Sequence, residues 1–213
     1  MSEILEQLQK DLYDGKVAEV KEATQKALAE GIAPGEILKN GLIAGMDKVG
    51  ADFKQGTLYI PEVLIAAKAM HTGMDLLKPL LSESDVRSMG KVVIGTVTGD
   101  MHDIGKNLVG MMLEGAGFEI VDVGTDTSPE AFVEAVRSEG ADILGLSALL
   151  TTTMPGMRAT IDALAEANLL DKVIVMVGGA PVTEEYAMQV EADGYAPDAA
   201  SAVDKAKELL ARS

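Results

Sequence analysis

The sequence predicts an α/β protein in two parts, a four-helix bundle followed by a doubly wound parallel sheet of five strands. Three observations predict it. Apolar residues recur at steps of three and four through residues 1–81, which is helical periodicity. From Lys91 onward, short continuous runs rich in Val and Ile replace that spacing, with helical stretches between them. Between the two parts, residues 82–90 (SESDVRSMG) are polar and aperiodic.

The first helical run carries Ile4, Leu8 and Leu12, and the second Val17, Val20, Ala23 and Ala27. The third carries Leu38, Leu42, Met46, Val49 and Phe53, and the fourth Val63, Ala66, Met70, Met74, Leu77 and Leu81. Each set places one apolar stripe on a helix, to be buried against its neighbours. Breaks fall at Asp14-Gly15, at Gly31–Gly35 and at Gly56–Pro61. Pro34 and Pro61 stand near helix starts, where the missing N–H has no partner to lose. Short loops between four helices predict an antiparallel bundle. The polar run 82–90 then predicts a linker, and the domain boundary is set at 1–88 and 89–213. Strands are predicted at 91–97, 118–124, 141–147 and 172–178, with a weaker one at 193–196. Continuous apolar strands alternating with helices need cover on both faces, the pattern of a flavodoxin-like domain.

Bulk composition narrows the function. The chain has no cysteine, which excludes disulfides, thiolate nucleophiles and Cys-ligated metals. His71 and His102 are the only histidines, so no multi-His metal centre fits in one chain. A formal charge of −16 disfavours a nucleic-acid partner, whose phosphates need Lys and Arg; its simplest consequence is solubility. No run approaches the roughly 20 apolar residues of a membrane span. The N-terminus MSEILEQLQKDLYDG lacks a signal layout, so a cytoplasmic protein is expected. The twelve methionines suit irregular gaps in a core.

Ligands of doubly wound sheets bind beyond the carboxyl ends of the strands, where the strand order reverses. Here the first strand leads into Asp100-Met101-His102-Asp103-Ile104-Gly105. The third leads into Ser147-Ala148-Leu149-Leu150-Thr151-Thr152-Thr153, and the fourth into Gly178-Gly179. An Asp-x-His-x-x-Gly loop, a hydroxyl-rich loop and a glycine pair are thus predicted to meet in one crevice. On residue type alone His102 equally suits a solvated or capping role, and Ser147, Thr151 and Thr153 suit caps of the next helix. Gly178-Gly179 equally suits a simple turn. His71 lies inside a helical run and is expected to be an ordinary histidine.

These motifs resemble those of the cobalamin-binding corrinoid proteins of three-component methyltransferase systems, and of the cobalamin module of methionine synthase. Asp100 to Gly105 match that family's Asp-x-His-x-x-Gly, Ser147-Ala148-Leu149 its Ser-x-Leu, and Gly178-Gly179 its Gly-Gly. Met46-Asp47-Lys48-Val49-Gly50 through Phe53 and Ile60-Pro61-Glu62-Val63 resemble its helical cap, so the likeness spans about residues 4–210. It implies a cobalamin or related corrinoid with His102 as the lower ligand to cobalt. Asp100 would hold the other ring N–H, and Thr153 would continue that relay where related proteins carry serine. Met101, Asp103 and Ile104 would also belong to the cofactor site, and Gly105 would let the backbone turn close to the corrin. Ser147, Leu149 and Thr151 would line the nucleotide tail, and Gly178 and Gly179 would leave it room. Phe53, Ile60 and Val63 would cover the upper axial face, although each suits a bundle core equally well.

The function so implied is a methyl carrier. Its cobalt takes a methyl group from a donor-side methyltransferase and yields it to an acceptor-side one that uses tetrahydrofolate or a thiol, with a reductive activase as a further partner. No catalysis by the chain alone is expected, and no nucleic acid or membrane partner. The competing reading is a regulatory or storage module that binds B12 without methyl transfer. The methyl donor, the acceptor, the corrinoid's lower base and the oligomeric state are not encoded in any motif.

Overall fold

The protein is described by a computed structural model over residues 2–81 and 89–212. Most of the run predicted as a linker, residues 82–88, lies outside the described residues. The chain divides into two compact units, residues up to 81 with Gly115–Gly117, and residues 89–114 with 118–212.

The first unit is helical. It comprises α1 (Glu3–Tyr13), α2 (Val17–Ala29), α3 (Pro34–Ile37), α4 (Ala44–Lys54) and α5 (Ile60–Leu77). Leu5, Leu8 and Leu12 of α1 are fully buried, as are Val20 and Ala27 of α2 and Val49 of α4. Leu5 rather than Ile4 opens the buried stripe of α1. Pro34 opens α3, and Pro61 is the second residue of α5. The Glu62 carboxylate turns back to accept the Tyr59 N–H at 2.7 Å, closing one orphan donor of α5.

Two features depart from the sequence reading. The third helical run is not one α-helix. Leu38–Ile43 form a π-helical segment between α3 and α4, and Gln9 of α1 donates its amide to the Asn40 carbonyl there at 2.7 Å. The fourth run ends at Leu77 instead of Leu81, because Pro79 reduces the continuation to a single 3-10 turn, Lys78–Leu80.

The second unit is a five-stranded parallel sheet in the order β2-β1-β3-β4-β5. Its strands are β1 (Lys91–Thr96), β2 (Glu119–Asp122), β3 (Ile143–Ser147), β4 (Ile174–Gly178) and β5 (Gly194–Tyr195). The helices α6 (Ile104–Gly115), α7 (Pro129–Glu139), α8 (Pro155–Glu166), α9 (Glu184–Gln189) and α10 (Ala199–Leu210) connect and cover them. Strand β1 is buried at five of its six positions, as a central parallel strand must be. Under it, Phe132 of α7 and Met157, Ile161 and Leu164 of α8 pack with Leu144 and Val175 in one apolar core. All five predicted strands form, and the order reverses between β1 and β3. The register sets Thr96, Ser147 and Gly178 side by side at the carboxyl ends of β1, β3 and β4.

Candidate functional site

The chain leaves β1 at Thr96 and turns through Gly99, whose φ of +80° suits a residue without a Cβ. The next residue, Asp100, is wholly buried, yet both oxygens of its carboxylate meet donors. Oδ1 takes the backbone N–H of His102 at 3.1 Å and lies 2.7 Å from His102 Nδ1. Oδ2 reaches across to the turn after β3, accepting the Leu149 N–H at 2.7 Å, with the Leu150 N–H further off at 3.4 Å. The Thr153 hydroxyl stands 2.7 Å from the same oxygen and 2.9 Å from the Leu150 carbonyl. Its single proton serves one acceptor at a time, and an ionised carboxylate is the stronger one. Asp100 therefore joins the loops after β1 and β3, the two strands that flank the reversal of strand order.

Burial by itself pushes the Asp100 carboxyl up. The hydrogen bonds from Thr153, Leu149 and His102 outweigh that effect and hold it well below the usual carboxylate range. This fixes the tautomer of His102. An ionised carboxylate can only accept, so the Nδ1 atom carries the ring proton and donates it to Asp100. The lone pair is left on Nε2. The imidazole is half exposed, so that nitrogen belongs to an accessible ring. The Thr96 hydroxyl donates to the His102 carbonyl at 2.9 Å and pins the loop to the end of β1.

The loops after β1 and β3 that Asp100 joins also carry apolar side chains that are not buried. Met101 is 71% and Ile104 76% exposed, and Leu149 and Leu150 on the facing loop are 41% and 43% exposed. Solvent-exposed apolar groups on both loops of one polar anchor mark a surface made to be covered. Asp103 is exposed and accepts from Asn107 at 3.2 Å, across the first turn of α6. At Gly105 nothing in the chain demands glycine. A Cβ there would meet no atom within 4 Å.

The remaining predicted residues fall into separate groups. Ser147 ends β3 half-buried, and Thr151 is exposed on the turn beyond it. Thr153 is buried and does not cap α8, whose N-cap position is Met154 without a side-chain cap. The glycine pair divides. Gly179 has φ +129°, and a Cβ there would meet the Ala148 carbonyl oxygen at 1.9 Å, so the backbone itself requires glycine. At Gly178 the nearest atom to a Cβ is the Ala196 carbonyl oxygen at 3.7 Å, so the fold leaves that position open. In the helical unit Phe53 is half-buried and Ile60 is 43% exposed, whereas Val63 is fully buried in the bundle core. His71 is half-buried on α5.

Three contributions to the site were not read from the sequence. Leu149 acts on Asp100 through its backbone N–H, which no residue code signals. Asp126 accepts the Gly99 N–H at 2.7 Å and donates its own N–H to the Asp100 carbonyl at 3.0 Å. Lys106, 3% exposed on α6, bonds Asp122 at the end of β2 and Asn107 Oδ1. The lone cation Lys106 at the start of an otherwise apolar helical run was the available signal for the last.

Residues 90–204 match the B12 binding domain family, and residues 4–78 match a second family also described as a B12 binding domain. The chain is 48% identical to dimethylamine corrinoid protein 1 of Methanosarcina acetivorans, over 98% of both chains. It is 45% identical to trimethylamine corrinoid protein 1 of the same organism, over 89% of this chain and 88% of the relative. The crystal structure of the methanol:cobalamin methyltransferase complex MtaBC from Methanosarcina barkeri aligns with a TM-score of 0.90 at 31% identity, covering 100% of this chain and 81% of that one. Among the described residues no helix is long and apolar enough to cross a membrane. With B12 binding domain matches in both parts of the sequence, and near-full-length relatives of this identity, the chain belongs to the B12-binding corrinoid proteins.

Proposed function

We propose that this protein carries a methyl group on a bound corrinoid, between a donor-side and an acceptor-side methyltransferase, with His102 as the lower ligand to cobalt. The observation that carries the reading is the Asp100–His102 pair. Its buried carboxylate takes the Nδ1 proton and leaves the other nitrogen's lone pair on a half-exposed imidazole in the loop after β1.

The residues present fit such a cofactor. Among the described residues no three His, Asp or Glu converge as a metal cage. A metal held here would have to arrive with ligands of its own, as in a corrinoid, and His102 would supply the protein's single nitrogen. Gly105 lies three residues from His102 at a place where a Cβ would meet nothing, which suits the close approach of a flat ring. Met101, Ile104, Leu149 and Leu150 supply apolar contact around it. Gly178, with Ser147 beside it in register, supports a path for the nucleotide tail between β3 and β4.

When bound, the corrinoid supplies a cobalt centre able to take up and release a methyl group. The chain's own contribution is to hold and tune. Asp100 keeps the Nδ1 proton in place, which leaves Nε2 basic and its direction set. Thr153 and the Leu149 N–H keep Asp100 ionised and immobile. Residues 89–213 thus bind the cofactor, and residues 1–88 provide the cap that the resemblance implies, with Phe53 and Ile60 accessible for that role. The donor is a small methylated compound of the methanol or methylamine type, as the relatives' names suggest. The acceptor is tetrahydrofolate or a thiol, and a reductive activase restores the reduced cofactor.

Reconstitution with cobalamin followed by absorption spectroscopy tests the first half. The wild type should show an imidazole-ligated spectrum, and His102→Ala a base-off one with binding retained through the tail. An identical spectrum for both proteins would sink the ligand assignment. Stepwise mixing tests the second half. The loaded chain alone should transfer no methyl group from a biological donor. Adding the cognate donor-side enzyme should shift the corrinoid bands, and adding the acceptor-side enzyme should reverse the shift. Tight cobalamin binding without any such exchange would leave a storage or regulatory module instead.

A further inference from the structure

We infer that Asp126 is a positioning residue for the cobalt ligand, holding the Asp100–His102 loop from the side of β2; the inference rests on the reading of His102 given above. The carboxylate of Asp100 is fastened toward β3, but a fastened side chain does not by itself hold the main chain that carries it. That is what Asp126 does. Its Oδ1 accepts the Gly99 N–H at 2.7 Å, and its own N–H donates to the Asp100 carbonyl at 3.0 Å, so the two bonds bracket Asp100. Gly99 has the backbone freedom of a residue without a Cβ at φ +80°, and its amide is held by this carboxylate.

The bracket is built on a prepared loop. Thr127 donates its N–H to the Thr96 carbonyl at 3.0 Å and forms a bridge with Val97, while the Thr98 hydroxyl donates to the Thr127 carbonyl at 2.9 Å. The loop after β2 therefore runs alongside the loop after β1 for several residues. At its turn Asp126 has φ +51°, a left-handed conformation that aspartate tolerates better than most residues. Strain kept at this one position is the expense of aiming its carboxylate at Gly99.

Asp126 is exposed, so water can replace its carboxylate at the Gly99 N–H with little effect on folding. Water cannot set the position of Asp100 as a side chain fixed to the neighbouring loop does. Loss of the carboxylate should therefore move ligand geometry more than stability, as outer partners of metal ligands do.

The test uses two substitutions that separate the acceptor from the backbone conformation. Asp126→Gly keeps the left-handed turn and removes the acceptor, whereas Asp126→Asn keeps an acceptor oxygen. Each full-length protein is labelled with nitrogen-15, loaded with cobalamin and reduced to Co(II), and its electron paramagnetic resonance spectrum is recorded. Ligation by His102 splits the lines into doublets, whereas the cofactor's own nitrogen-14 base gives triplets. The wild type and Asp126→Asn should show doublets. In Asp126→Gly the ratio of ligated to unligated cobalt should fall about tenfold, while the apoprotein's thermal midpoint stays near that of Asp126→Asn. An undiminished doublet in Asp126→Gly overturns the inference, as does an equal loss in both variants. Unfolding of Asp126→Gly also overturns it, because the residue would then be a structural support. A wild type without doublets overturns the His102 reading itself and this inference with it.

Discussion

Nδ1 of His102 and Oδ1 of Asp100 lie 2.7 Å apart, and the second oxygen of that carboxylate is held 2.7 Å from both the Leu149 N–H and the Thr153 hydroxyl. One buried charge thus connects an exposed imidazole to a turn 50 residues further along the chain, across the β1–β3 junction. The arrangement makes Asp100 a fold residue and a ligand-tuning residue together, and its variants should show both effects.

Asp100→Asn should lower the stability of the apoprotein at neutral pH by about 1–3 kcal/mol. An amide can turn its oxygen toward only one of the two donor groups, so the Leu149 N–H or the His102 pair loses its acceptor. The native carboxyl is held below its unfolded value, so its contribution is complete above the ordinary carboxylate range and is lost as pH falls through the lower native value. The gap between wild type and variant should therefore be widest near neutrality and narrow in strong acid. Denaturant titrations from pH 7 downward measure it, and a gap that widens in acid would reverse the assignment. In the loaded protein the same change should weaken cobalt ligation on the order of ten- to a hundredfold.

Gly178 and Gly179 should respond differently to alanine. Gly179→Ala places a Cβ against the Ala148 carbonyl in a left-handed region and should cost several kcal/mol, on the order of a severe backbone mutation. Gly178→Ala meets nothing closer than 3.7 Å and should leave the apoprotein's melting temperature nearly unchanged. Its effect should fall on cobalamin affinity, read by equilibrium titration. Unaltered affinity in a folded Gly178→Ala would remove Gly178 from the tail path.

Val63 and Ile60 separate packing from ligand contact. Val63→Ala removes two methyl groups from a fully buried position and should cost about 2 kcal/mol. Ile60→Ala changes a side chain that is 43% exposed and should lie within about 0.5 kcal/mol of wild type. Any change in the spectrum or light sensitivity of the loaded Ile60→Ala protein then reports contact with the cofactor. A loss of stability in Ile60→Ala as large as that in Val63→Ala would show that Ile60 is a core residue too.

Asp122 should be the more sensitive end of its pair with Lys106. Asp122→Asn removes the charge opposite the buried Lys106 ammonium, and should destabilise the apoprotein by about 2 kcal/mol, less than a fully buried pair because Asp122 is 43% exposed on its side chain. Lys106→Met removes the buried charge and keeps the stem's apolar packing, so it should cost less. Thermal unfolding of the two variants compares them, and the opposite order would mean that the ammonium is solvated in the native ensemble.

Much of this protein was legible in one dimension. Continuous runs such as KVVIGTV and KVIVMVG are short, rich in Val and Ile and without an amphipathic period, which is the pattern of central parallel strands. All five strands and the strand-end loops bearing Asp100, His102 and Thr153 follow from that reading. The resemblance carried by Asp-x-His-x-x-Gly, Ser-x-Leu and Gly-Gly supplied the cofactor. The sequence also marked Pro34 and Pro61 as helix starts, since local chemistry at a helix end depends on near neighbours alone.

Other facts were decided only when distant segments met. The π-helical segment at Leu38–Ile43 leaves the apolar stripe Leu38, Leu42, Met46 and Val49 buried, so periodicity could not disclose it. The same blindness covers Leu149, whose backbone N–H rather than its side chain holds Asp100, and Asp126, which acts from a turn more than twenty residues away. Glycine spelled the same letter at 178 and 179, yet one is demanded by a carbonyl 1.9 Å from its missing Cβ and the other by nothing in the chain. Periodicity and motifs record how each segment meets water and its near neighbours. Which donor reaches a buried carboxylate is set by the spacing of strands that fold together from separate stretches, and that is a property of the tertiary structure alone.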